Sequence, residues 1–220
     1  MCGRYSPLAE EEIIEVRTIF EGIPLMIERD EIGSRAEILR EVAPTNRVPI
    51  ITSDNGILAF EYGKFGFAKW DGMGVIINAR GETVTEKPMF KSHAYARRCV
   101  IPTSGYFEWK AVAGRRKIKH IIKDTHRKLL FMAGLYREGK IGREFVIITK
   151  DPVESIAAIH DRMPVILQVD QLEEWLSGEM PAEVLTATDY DCIGEPFEAR
   201  NATSAKEKRQ AQLDLFSGYE

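Results

Sequence analysis

The chain has 220 residues and a mass of 25.0 kDa, enough for one domain or two small ones. Its 44% hydrophobic and 29% charged residues are ordinary for a soluble globular protein. No apolar run reaches the roughly 18–20 residues of a membrane span, and no secretory leader pattern opens the chain. A formal charge of −4 argues, taken whole, against a nucleic-acid partner.

In chain order, Ser6 as N-cap and Pro7 at the first helical position predict a helix. Glu10, Glu11 and Glu12 sit near its positive end, and Ile13, Val16, Ile19 and Phe20 make its apolar face. A turn-rich stretch at 43–49 leads into a hairpin with arms 48–52 and 57–63, joined by Asn55-Gly56. Strands are predicted at 74–78, 98–103, 105–110, 117–122, 128–136 and 143–149, with a basic helix over about 88–97. Asp151, Pro152 and Glu154 have the spacing of a capped helix start, the helix ending near His160. Asp170 and Glu173 open another that stops near Gly178, and Pro181 opens a short one after it. Strands fill the middle, helices the edges, and βαβ alternation is absent. The expectation is an α+β fold: a strongly bent, barrel-like, mostly antiparallel sheet flanked by helices. One domain covers 1–198, and the polar segment 199–220 reads as a flexible tail.

Mapped by position, the charge looks different. Residues 61–150 hold 19 lysines and arginines against 8 acids, while the rest of the chain holds 11 against 26. A basic middle framed by acidic flanks fits a cationic groove, although solvated surfaces sorted by chance give the same numbers. Cys2, Cys99 and Cys192 are odd in number and lack metal-ligand spacing, and His93, His120, His126 and His160 form no ligand pair. A reducing, cytoplasmic setting follows, without metal or organic cofactor.

The chain begins Met1-Cys2-Gly3-Arg4-Tyr5. If Met1 is removed, Cys2 carries an α-amine and a thiol on adjacent carbons. Such a 1,2-aminothiol condenses with an aldehyde to an imine, and the sulfur then closes on the same carbon to give a thiazolidine. An α-amine titrates near ~7.7–8.0 against ~10.4 for lysine, so much of it is nucleophilic at neutral pH. Arg4 nearby is expected to lower the thiol pKa.

Three further segments accompany this terminus: NARGET (78–83), RRCVIPTSGYFEW (97–109) and IHDRMPVIL (159–167). The ordered set, spanning residues 1–167, resembles the SOS-response-associated peptidase family, the abasic-site processing proteins that shield abasic sites in single-stranded DNA. The resemblance implies that Cys2 forms a thiazolidine with the open-chain aldehyde of an abasic sugar. Asn78 would position the reactants, Glu108 would shuttle protons, and His160, at a helix end that favours imidazolium, would donate a proton as the sugar opens. It also implies DNA contacts by Gly3, Arg4, Arg80, Arg162 and Thr149. Trp70 and Trp109 are candidates to stack on bases, and Arg97, Arg98, Arg115, Arg116, Lys117 and Lys119 to extend the track.

Each residue also has a plainer reading. Asn78 fits a strand-end turn, His160 a helix cap, and Glu108 an outward carboxylate paired with Lys110, since Tyr106, Glu108 and Lys110 alternate onto one face. The chain departs from the family where it reads Lys64-Phe65-Gly66-Phe67 in place of an Arg-Trp-Gly stretch. In the tail, Gln212-Leu213-Asp214-Leu215-Phe216 resembles the peptide with which bacterial proteins dock on the sliding clamp, through Gln212, Leu213, Leu215 and Phe216. A short apolar tail folding back on its own domain has the same composition. The overall expectation is a monomer that crosslinks to abasic single-stranded DNA, nucleoid-associated when bound, whose peptidase activity reduces to removal of Met1. The rivals are a thiol hydrolase with an N-terminal nucleophile and a non-covalent single-strand binder.

Overall fold

The computed structural model describes residues 2–20, 40–54, 56–113, 116–181 and 190–197. In chain order, its strands are β1 (Arg4–Tyr5), β2 (Arg47–Asp54), β3 (Ile57–Phe65), β4 (Phe67–Ala68), β5 (Val75–Ile76), β6 (Asn78–Arg80) and β7 (Arg98–Thr103). There follow β8 (Tyr106–Ala111), β9 (Lys117–Asp124), β10 (Leu130–Gly139), β11 (Gly142–Lys150), β12 (Met163–Pro164), β13 (Ile166–Leu167) and β14 (Cys192–Pro196). The helices are α1 (Glu10–Ile19), α2 (Pro88–Ala96), α3 (Glu154–Ala157) and α4 (Leu172–Ser177).

Five strands close on themselves in the order β11-β3-β2-β7-β10, with β10 returning to β11. The pairings within this ring are antiparallel except β3 with β11, which run parallel. A second sheet, β1-β8-β9-β14, is antiparallel throughout. This is the expected α+β barrel-like architecture, with a parallel seam that the pattern of strands does not announce.

Alternation along the strands divides the core in two. Ile50, Phe65, Ile101, Met132, Phe145 and Ile147 pack with Tyr5, Tyr106 and Ile122 of the second sheet. The neighbouring residues Ile51, Val100, Phe131, Val146 and Ile148 pack under α1, α2 and α4 through Val16, Ala94 and Trp175. At the crowded centre, a Cβ on Gly134 would stand 2.4 Å from Cδ1 of Ile101 and 2.8 Å from the carbonyl of Val146, so β10 needs glycine there. Phe65 stacks on Phe145 at 5.2 Å and meets the edge of Tyr5 at 5.6 Å. It thereby ties β3, β11 and β1 together.

Two helix starts differ from expectation because the capping residues are used elsewhere. The amide of Ser6 donates to the carbonyl of Gly105 at 2.8 Å, and its carbonyl accepts from Thr103 at 2.8 Å. Helix α1 therefore begins later, where the Ala9 amide donates to Glu12 at 2.8 Å. Asp151 binds Arg162 at 2.5 Å instead of capping, and α3 runs only from Glu154 to Ala157. A 3-10 turn, Val169–Gln171, precedes α4, which ends on Gly178 at φ 88° as expected. The segment 74–78 is not one strand: β5 pairs with β4, while β6 crosses to β11. The predicted helix from Pro181 and the tail at 199–220 fall largely or wholly outside the described residues.

Candidate active site

Cys2 lies just before β1, a strand held on both sides. Arg4 and Tyr5 pair with Phe107 and Tyr106 of β8, and across the other edge Tyr5 exchanges backbone bonds of 3.3 and 2.7 Å with Val42. Cys2 has no exposed surface. Strand β6 lies parallel to β11 with Asn78 opposite Ile147, which brings the Asn78 amide to the Cys2 carbonyl at 3.1 Å. Asn78 therefore opens a strand and reaches the N-terminal segment; it is not a turn residue.

Glu108 is 2% exposed. Alternation sets it on the face of Tyr106, and this face is the buried one, so the outward pair with Lys110 does not form. Burial raises its carboxyl from 4.5 to about 7, opposed by the positive charge of the amino terminus. Nε2 of His160 stands 3.5 Å from Oε2 of Glu108. The amide of Arg162 donates to Nδ1 of the same ring at 3.1 Å, which leaves the hydrogen on Nε2, toward the carboxylate. Asp161, largely exposed, also reaches Nδ1 at 2.9 Å and favours the charged ring. Burial, helped by the amino-terminal charge, outweighs it and lowers the His160 pKa. The imidazolium expected from a helix end is not favoured, since α3 is a single turn and the ring is partly buried.

Burial, then the Glu108 charge, raises the Cys2 thiol well above its ordinary value. Arg4 does not lower it, because its guanidinium is committed to Glu41 at 2.5 Å. Cys2 is thus stored as a neutral thiol beside a carboxyl that can take or give a proton near neutrality. Among the described residues, no group of three or more His, Cys, Asp or Glu side chains is arranged to hold a metal ion.

The family model for SOS response associated peptidase (SRAP) matches residues 1–204. The chain belongs to that family. Abasic site processing protein YoaM of Bacillus subtilis is 33% identical over 230 residues, covering 97% of each chain. Abasic site processing protein YedK of Escherichia coli is 29% identical over 82% of this chain and 81% of its own. A crystal structure of a Bacteroides thetaiotaomicron protein aligns with a TM-score of 0.75 at 25% identity, covering 94% of this chain and 96% of that one.

In this SRAP chain the residues expected to meet DNA fall into distinct groups. Arg80 is exposed at the end of β6, and Trp70 is 97% exposed on the turn between β4 and β5. Gly3 is half-buried beside Cys2. Arg162 is held by Glu82 at 2.8 Å and Asp151 at 2.5 Å, with its side chain only 12% exposed. Thr149 is 2% exposed, its hydroxyl donating to the Ala79 carbonyl at 3.4 Å. Arg4 and Trp109 share the β8 face that carries Phe107, opposite to Glu108. Arg98 is buried against Trp175, which takes it out of any surface track, and Lys119 is committed to Glu41 and the Phe107 ring. Arg115, Gln212, Leu213, Leu215 and Phe216 lie outside the described residues.

Several participants were not singled out from the sequence. The hydroxyl of Tyr106 is buried without a hydrogen-bond partner among the described residues, and burial, then the charges of Cys192, Cys2 and Glu108, raises its pKa. Its place two residues before Glu108 on one strand was the available signal. Glu82 stands inside NARGET, but its partner Arg162 is 80 residues away. Glu41 carried no signal at all.

Proposed function

We propose that this protein recognises abasic sites in single-stranded DNA and captures the sugar aldehyde as a thiazolidine on Cys2, once Met1 has been removed. The observation carrying this reading is the convergence of Cys2, Asn78, Glu108 and His160, from four distant stretches of chain, in one desolvated site. Relatives named abasic site processing proteins, covering 97% and 82% of the chain, support the same substrate.

The steps follow from the groups present. The α-amine of Cys2 adds to the aldehyde carbon, and the carbonyl oxygen gains a proton, giving a carbinolamine. Neutral Glu108 donates a proton to that hydroxyl, which leaves as water, and an iminium remains. The resulting carboxylate accepts the thiol proton as sulfur closes on the same carbon. The balance is aldehyde plus aminothiol giving thiazolidine plus one water. Glu108 is the group whose proton is shared evenly near pH 7, so it takes the donor's part; His160 orients it through Nε2. Asn78 fixes the Cys2 backbone, and its buried Oδ1, which has no hydrogen-bond partner among the described residues, is an acceptor for the freed amine or a sugar hydroxyl. Arg80 and Trp70 are suited to a phosphate and a base.

Intact-mass measurement with an abasic oligonucleotide tests the proposal. The expected result is a covalent adduct equal to protein plus DNA minus one water, lost in Cys2→Ala and formed only by chains lacking Met1. Reversible binding unaffected by Cys2→Ala supports a non-covalent binder instead, and turnover of a peptide supports a hydrolase.

A further inference from the structure

Two cations, Arg4 on the strand that follows Cys2 and Lys119 beside it, share a single carboxylate. Glu41 binds Arg4 at 2.5 Å through Oε1 and Lys119 through Oε2. The next residue, Val42, pairs with Tyr5 in an antiparallel bridge. Residues 41 and 42 thus grip β1 by side chain and backbone together, on the edge opposite β8. Lys119 is held in turn by rings: its ammonium lies 4.0 Å from the centre of Phe107 and 4.7 Å from that of Phe197. The side chain of Glu41 is 25% exposed and that of Arg4 41%, so an incoming phosphate can reach the pair.

We infer that Glu41 is a positioning residue for Cys2 that also limits the affinity for DNA. This rests on the proposed capture of abasic sites. Glu41 holds Arg4, and with it the two residues before Arg4, in the register that sets Cys2 beside Asn78 and Glu108. It does so by neutralising Arg4 and Lys119, which single-stranded DNA would otherwise recruit. Fixing the nucleophile and binding the backbone therefore compete for the same two cations. Glutamine keeps the size of the side chain and removes the charge, so Glu41→Gln is expected to bind more tightly and react more slowly.

The experiment separates these effects. Non-covalent affinity is measured by fluorescence anisotropy with a labelled oligonucleotide carrying a tetrahydrofuran in place of the abasic sugar, which has no aldehyde, Glu41→Gln being placed in a Cys2→Ser background. Binding should tighten several-fold at low salt, and the salt slope should steepen by about 0.7 for each cation released. In the Cys2 protein, the first-order rate of adduct formation at saturating oligonucleotide should fall by about tenfold. Glu41→Asp, which keeps the charge, should recover much of the rate. A purely structural role would weaken binding and rate together, and that outcome, or unchanged affinity and slope, overturns the inference. If Glu41→Gln does not fold, Glu41→Asp carries the test: its shorter carboxylate holds Arg4 and Lys119 less closely, so affinity should rise and the rate fall, both by less than with glutamine. A fall in rate equal to that in affinity would count against the idea. If wild type lacking Met1 forms no adduct, the proposed function fails first, and the affinity arm alone still decides whether Glu41 limits DNA binding.

Discussion

Oε2 of Glu108 and Nε2 of His160 lie 3.5 Å apart, and burial drives both groups toward their neutral forms. An acid with a pKa of about 7 facing a neutral imidazole is suited to moving one proton back and forth at physiological pH. The pair joins β8 to the turn after α3, so its geometry depends on how the second sheet sits against the barrel.

The pH dependence of adduct formation should carry the signature of Glu108. Dehydration needs the neutral acid, whose fraction declines as pH rises through about 7, whereas addition of the amine gains with pH. The rate should therefore pass through a maximum with a falling limb on the alkaline side. Glu108→Gln should remove that limb and slow the reaction by about 10²–10⁴. Rates read by denaturing gel between pH 5.5 and 8.5 test this, and an unchanged profile in the variant rules out Glu108 as the donor.

Stability should move the other way. A buried carboxyl whose pKa is raised from 4.5 to about 7 favours the folded state while protonated, and that contribution is lost as pH rises through this window. Glutamine is neutral throughout. Glu108→Gln should thus be more stable than wild type at pH 8, by as much as about 3 kcal/mol, with a smaller gain at pH 5. Urea denaturation at the two pH values measures it, and equal differences at both argue against the raised pKa.

Asn78→Ala removes the donor to the Cys2 carbonyl. The loss of one such bond should cost about 1 kcal/mol of stability. Adduct formation should suffer more, by roughly tenfold or greater, because small displacements of a reacting group are amplified in rate. Comparing the melting shift with the single-turnover rate distinguishes positioning from general weakening.

Gly134→Val tests the barrel rather than the chemistry. A side chain there meets Ile101, the Val146 carbonyl and the Cys99 sulfur, at 2.4, 2.8 and 3.0 Å from its first carbon. Overpacking of this kind costs about 1–3 kcal/mol or more. The variant should show a clear loss in denaturation midpoint, and a neutral result would mean that β7 and β10 separate easily.

The strands were legible because their apolar residues alternate and their boundaries are marked. The arms around Asn55-Gly56 and the segments 98–103 and 143–149 lie within observed strands. The parallel seam between β3 and β11 was not, since pairing over such a distance leaves no local pattern. Helix starts failed at Ser6 and Asp151, where tertiary partners outcompeted the local cap. The core of the site, Cys2, Asn78, Glu108 and His160, followed from ordered motifs, and the fold brings these residues together. Arg4 and Arg162 were expected to meet phosphates, and a one-dimensional string does not reveal the carboxylates folded against them from Glu41 and Glu82.

The parallel seam has a kinetic consequence. Lys64 and Glu144, partners in it, stand 80 residues apart, and strand β11 must also receive β6 and β12 before Asn78 and the turn bearing His160 take their places. Contacts of such long range form slowly compared with hairpins and helices. Cys2 is enclosed once β1 has paired with β8 and Val42 and Asn78 of β6 has reached the Cys2 carbonyl. Until late in folding, Cys2 is an ordinary solvated cysteine, open to any electrophile and without selectivity. Burial of the thiol therefore comes with completion of the fold rather than with synthesis of the N-terminus.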